Sequence, residues 1–198
     1  MFTSELQTVQ TVCYFGPEVI CLTRTRNPEL TRITLLDAAA AVLRDLGAAL
    51  SLDAVAKEAG VSKGGLLHHF PSREALLNAL ALRLLEQFRG RVAAALDAET
   101  TVHGQQPGAW ARAYIAVSFD PSAEEDAIYA VMQTLALQPD VLAAWKATEA
   151  EMIAAAEADG LPLGRAHAIR LACDGLCLSH MSAADLPAVR EELTRWTR

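Results

Sequence analysis

An all-α fold of about nine helices is what this sequence predicts, and three observations lead there. Alanine and leucine dominate the 198 residues while valine, isoleucine and the aromatics are sparse, a bias that favours helix over sheet. Apolar residues recur at three- and four-residue spacings over long stretches, punctuated by Ser, Gly and Pro where helices start and stop. No stretch alternates apolar and polar residues as a half-buried strand does.

Residues 1–28 follow neither period and are punctuated by Pro17 and Pro28; they read as a poorly ordered N-terminal extension. From Thr31 the pattern turns helical, with Leu35, Leu36, Ala39, Val42, Leu43 and Leu46 on one stripe and Gly47 as its stop. Ser51 caps a short helix carrying Leu52, Val55 and Ala56, closed by Gly60. Ser62 caps a third helix through Leu66 and Leu67, which must end before Pro71. Ser72, with Glu74 in the first turn, opens a long fourth helix along Leu76, Leu77, Leu80, Leu84, Phe88, Val92 and Leu96. Asp97 to Gly108 reads as a loop, with Pro107 placed to begin the next helix. Further helices are expected at 109–119, 122–138, 140–159, 164–182 and 186–197, divided by Asp120-Pro121, Pro139, Gly160 to Gly164 and Pro187.

The net charge is -7, but it is unevenly spread. Residues 1–91 carry 10 basic and 9 acidic side chains, residues 92–198 carry 7 and 15. One half tolerates a polyanion and the other does not. No apolar run reaches the length of a membrane span, and Glu5 and Glu18 break any secretory signal. The chain thus reads as cytoplasmic. Cys13, Cys21, Cys173 and Cys177 lack CxxC spacing and read as reduced thiols. No cofactor is expected. Phosphate-loop, HExxH, GxSxG and dinucleotide motifs are all missing, so an enzyme is not expected.

The stretch from Ser51 to Phe70 carries the function. Gly60 supplies the positive φ of a tight turn, Ala56 is small enough for two helices to cross closely, and Val55, Val61 and Leu66 fall on the inner faces. This is a helix-turn-helix, with the second helix free to enter a major groove. Its outer surface is Ser62, Lys63, Gly64, Gly65, Leu67, His68 and His69, where small residues admit a DNA backbone and Lys63 meets a phosphate. An αα-corner without a partner is the plain alternative for these residues. A helical adaptor for another protein stays open if Leu67 serves a protein contact.

The sequence resembles the TetR-type transcriptional regulators over about residues 30–90. The matching pieces are Arg32, Leu35-Leu36-Asp37-Ala38-Ala39, Gly47, Ala59-Gly60-Val61-Ser62-Lys63-Gly64 and His69-Phe70-Pro71-Ser72-Arg73-Glu74-Ala75-Leu76. Arg170-Leu171-Ala172-Cys173-Asp174-Gly175-Leu176 looks like the penultimate helix of one subgroup. The resemblance implies a homodimeric regulator, usually a repressor, that a small-molecule effector releases from a palindromic operator in double-stranded DNA. It divides the chain into the extension 1–28, a three-helix DNA-binding domain 29–75 and a helical ligand-binding and dimerisation domain 76–198. It adds Ser51 and Arg73 to the DNA-binding set. Where the family commonly has an aromatic that touches phosphate, this chain has Leu67 and His68.

Other candidates are less decided. Trp110, Tyr114, Phe119, Met132, Trp145 and Met152 occupy apolar positions of the middle helices and suit either a shape-tolerant effector pocket or ordinary core. Cys173, Cys177 and His180 share one helical face and could form a metal or redox sensor; packing cysteines are the plainer reading. Ala168, Ala172, Gly175 and Ser179 form a small-residue stripe that, with Val189, Leu193 and Trp196, suggests a subunit interface. Arg24 and Arg26 are placed to reach a minor groove.

Overall fold

Asn27 starts the first helix. Its Oδ1 accepts hydrogen bonds from the amides of Glu29 (3.0 Å) and Leu30 (3.4 Å), and Pro28 has no amide to satisfy. In the computed structural model, which describes residues 27–120, 139–176 and 184–198, this helix, α1, spans Pro28–Leu46. It begins before Thr31 because the cap lies ahead of the apolar stripe. Gly47 ends it at φ 53°, and a short 3-10 turn, Gly47–Ala49, leads to α2, Leu52–Glu58. Next come α3, Lys63–His69, and α4, Arg73–His103. Ser51, Ser62 and Ser72 each accept an amide hydrogen bond, from Ala54, Gly65 and Ala75.

Four more helices follow among the described residues: α5 (Ala109–Ser118), α6 (Pro139–Ala158), α7 (Leu163–Leu176) and α8 (Leu186–Arg195). No strand occurs among the described residues. None of the helices there is long and apolar enough to cross a membrane. The helix expected at 122–138 lies outside the described residues, as do residues 177–182 of the helix expected at 164–182.

One expected boundary moves by several residues. The fourth helix does not stop at Asp97 but continues to His103. The Thr100 hydroxyl bonds back to the Leu96 carbonyl (2.9 Å), Glu99 pairs with Arg112 of α5, and Gly104 at φ 73° ends the helix. These tertiary and local bonds carry a polar turn that propensity leaves undecided. The next helix, α5, starts at Ala109, as the expected span 109–119 has it. Gly108, at φ 82°, turns the chain, and a Cβ there would lie 2.5 Å from the Thr197 carbonyl oxygen.

The helices enclose two cores. The first joins Leu35, Leu43, Val55, Leu66, Phe70, Leu76, Leu77 and Leu80, with Val141 of α6 fully buried among them. The second joins Val92 of α4, Trp110, Tyr114 and Ile115 of α5, Ala156 of α6, Ile169 and Cys173 of α7, and Leu193 of α8. Both α4 and α6 therefore reach from one core to the other, and Arg89 ties them together through Glu151 (2.7 Å). Of the residues expected at a subunit interface, Leu193 is buried in the second core and Val189 packs, half-buried, against it. The amphipathic period of α8 marks a buried face without saying whose core covers it.

Candidate nucleic-acid interface

The two short helices α2 and α3 meet where Ala56 and Val55 are buried against Leu66, and Val61 packs on the same core. Gly60 makes the turn at φ 65°, and the amide of Val61 donates to the Ala56 carbonyl (3.0 Å). Burial of Leu66 alone fixes the roll of α3, because a seven-residue helix has one turn to bury and one to present. What it presents is the expected set. Ser62, Lys63, Gly64, Leu67 and His68 are exposed, and Gly65 and His69 are half-exposed. Leu67, with 37 % of its surface in solvent, is the large apolar group of that face.

The glycines of α3 differ in what they meet. A Cβ at Gly65 would lie 3.3 Å from the Ser62 Oγ, while one at Gly64 would meet nothing within 4 Å. Glycine inside a helix costs about 0.5–1 kcal/mol relative to alanine. Among the described residues, no close approach requires that cost at Gly64.

Charged groups around α3 are already engaged. Lys63 Nζ sits 2.9 Å from Asp53 Oδ2 of α2, with the side chains 56 % and 69 % exposed. Arg73 Nε donates to the Leu50 carbonyl (2.9 Å), so this arginine pins the start of α4 to the loop before α2. Arg32 of α1 lies over the Phe70 ring at 4.6 Å. His68 and His69 contact each other edge-on, 5.5 Å between centroids. Ser51 uses its hydroxyl as the cap of α2. Sequence reasoning missed Asp53 as the partner of Lys63 and Leu50 as the partner of Arg73. The first was readable only as two like positions, each in the first turn of consecutive helices.

The expected effector residues divide. Trp110 and Tyr114 stack (4.7 Å, 18° between planes), Phe88 meets Tyr114 edge-on at 5.9 Å, and Met152 packs against the same core. Trp145 is half-buried and belongs to neither core. Met132 lies outside the described residues. Tyr114 donates its hydroxyl to Asp174 (2.5 Å), whose other oxygen holds the buried guanidinium of Arg170. Burial pushes the Asp174 carboxyl above its ordinary range, against the Tyr114 bond and the Arg170 charge that lower it. Burial and the Asp174 charge together push the Tyr114 phenol far up. Asp159, at the end of α6, accepts from the amides of Trp110 (2.7 Å) and Ala111 (3.0 Å) and so caps α5 from a distance; burial raises its carboxyl despite these donors.

Cys173 is fully buried, and burial pushes its thiol up to about 12. Cys177, Ser179 and His180 lie outside the described residues, as do Arg24 and Arg26. Among the described residues no cluster of three His, Cys, Asp or Glu is placed to hold a metal ion.

Comparison with known proteins agrees with this geometry. The model of bacterial regulatory proteins of the tetR family matches residues 35–80. That of the tetracyclin repressor-like C-terminal domain matches residues 108–198. A search of curated proteins found no match. Among solved structures, a TetR-family member from Streptomyces coelicolor A3 is 28 % identical, with 85 % of this chain and 98 % of that one covered at a TM-score of 0.62. The multidrug binding protein EbrR complexed with malachite green is 28 % identical, covering 84 % and 98 % at 0.60. EbrR complexed with ethidium is 26 % identical, covering 85 % and 99 % at 0.61.

Proposed function

Since this chain belongs to the TetR family of helix-turn-helix regulators, we propose that it is a ligand-responsive transcriptional regulator, most simply a repressor, working in the cytoplasm. It binds a palindromic operator as a homodimer, and a small molecule seated among the helices of its second core releases it. The observation that carries the DNA-reading part is Gly64: a glycine in the first turn of α3, on its exposed face, whose Cβ position meets nothing within 4 Å among the described residues. A groove wall that must come close to the α3 backbone supplies a requirement for glycine. Ser62, Lys63, Gly64, Gly65, Leu67, His68 and His69 form the face turned to DNA. Ser51 and Arg73 support it by holding α2 and the start of α4.

The effector reading is supported by the stacked Trp110 and Tyr114 with Met152 beside them, a flat aromatic surface of adaptable shape. EbrR was crystallised with two aromatic dyes, and a planar aromatic effector is proposed here by likeness. Trp145 and Met132 are kept as outer candidates. Such a ligand acts on DNA binding only through a difference in its affinity for two arrangements of the dimer. Since α4 and α6 each enter both cores, both helices carry that difference.

The test is Gly64→Ala. In the full chain it raises thermal stability, worth about 0.5–1 kcal/mol, and at the same time loses retention on genomic fragments that wild type selects at low salt. Unchanged retention removes α3 from the groove. Wild type that retains no fragment, or that runs as a monomer in light scattering at micromolar concentration, defeats the regulator reading.

A further inference from the structure

The ion pair between Lys63 and Asp53 joins the first turns of α2 and α3 across the face turned to DNA in the function proposed above, and the inference rests on that reading. Lys63 is the lysine of α3, the first residue of the helix and more than half exposed. In the free protein its charge is already answered by a carboxylate oxygen at 2.9 Å, the separation and geometry that a phosphate oxygen would offer. We infer that Asp53 is an internal stand-in for a DNA phosphate, a brake that sets how tightly this chain holds duplex DNA.

The physical reason lies in what a lysine gains from a phosphate. A lysine free in water brings about one released counterion per phosphate contact. Lys63 has to leave Asp53 first, and the carboxylate then takes up a solution cation in the place of the lysine. The exchange of one oxyanion for another yields little net release. Both side chains are exposed enough for this exchange to be rapid, and an exposed pair of this kind adds little to folding stability. Asp53 therefore changes DNA affinity and its salt dependence rather than the fold. Among the described residues, Asp53 is the charged partner of Lys63.

The experiment uses the full chain, a labelled random-sequence duplex long enough to meet both α3 helices of a dimer, and titrations between about 50 and 200 mM KCl. Asp53→Asn binds the duplex several-fold more tightly, about fivefold near the middle of that range, and its logarithmic salt slope steepens by about one. Lys63→Ala alone changes the slope by much less than one, and in the Lys63→Ala background Asp53→Asn has no effect. Thermal melting of Asp53→Asn stays at the wild-type temperature. An unchanged slope and affinity in Asp53→Asn overturns the brake. A lower melting temperature with weaker binding shows a brace for the helix-turn-helix instead and overturns it equally. A gain that persists in Lys63→Ala assigns the effect to direct repulsion of DNA and removes the stand-in role. Each of these outcomes leaves duplex binding by wild type intact; wild type that binds no duplex at the lowest salt defeats the regulator reading itself and the brake with it.

Discussion

The two cores of this protein are built from different materials. The first is aliphatic apart from Phe70, and it buries no charged side chain among the described residues. The second holds Trp110, Tyr114 and Cys173, with Arg170 buried and with Asp159 and Asp174 partly withdrawn from water, each hydrogen-bonded. An aliphatic core has one good packing and holds the angle between α2 and α3 rigidly. A core with polar networks depends on every partner being in place, so small rearrangements change its energy more. Rigid where a groove is proposed to be read and adjustable where a ligand is proposed to enter: that is what the contrast teaches.

The contrast can be broken from either side. Leu66→Ala removes the buried side chain by which α3 enters the first core, and should cost about 3 kcal/mol within the 2–5 kcal/mol usual for such deletions. Urea unfolding followed by circular dichroism measures it, and a loss under 1 kcal/mol would mean that the first core is softer than its composition implies.

Asp159→Ala strikes the second core. It leaves the amides of Trp110 and Ala111 buried without an acceptor, at about 2 kcal/mol. All three tryptophans, Trp110, Trp145 and Trp196, lie in the later half of the chain, so tryptophan fluorescence should melt earlier than hydrogen exchange protection in α1 is lost. Coincident loss by both probes would show the two cores to be one cooperative unit.

Val141→Ala tests the link. This side chain belongs to α6 but is buried in the first core, and its truncation should cost about 1–2 kcal/mol. The sharper expectation is coupling: with an effector in hand, the variant should release DNA less completely than wild type. Full release would leave α4 as the sole connection.

Acid separates the halves by sign. The carboxyls of Asp159 and Asp174 are held above their ordinary range in the fold, so the folded state binds protons more tightly than the unfolded one. Their contribution is most favourable at and below the ordinary carboxylate value and is lost as pH rises through the raised values. Glu74, at the start of α4, is lowered by the backbone amide and the Ser72 hydroxyl, and its contribution runs the other way: present above its ordinary value, lost as pH falls through the lowered one. Mild acidification should favour the second core relative to the first, the smallest of these effects. Tryptophan-monitored melting against α1 exchange, across the region just above about pH 4, reads the difference; equal shifts would refute it.

Much of this was open to reading in the residues themselves. Helix type, the serine caps at 51, 62 and 72, the turn at Gly60 and the outward face of α3 all follow from bonds within a few residues of one another, and local bonds leave a local sequence signature. The extension of α4 to His103 was not readable, because Arg112 of another helix holds Glu99 there. Nor was the packing of Val189 and Leu193 in the second core, because a helical period marks a buried face and not its partner.

By itself, then, the sequence determined an all-α chain with a helix-turn-helix near its front, since 3.6-residue periodicity, capping and turn chemistry are set by neighbours in the chain. Tertiary structure alone decided which charges are already spent. Lys63 faces Asp53, Arg73 holds Leu50, Arg170 and Tyr114 share Asp174, and Asp159 caps a helix 49 residues away. Each of these joins residues whose separation along the chain, or whose competition among several acceptors, is resolved only when packing brings one partner within about 3 Å.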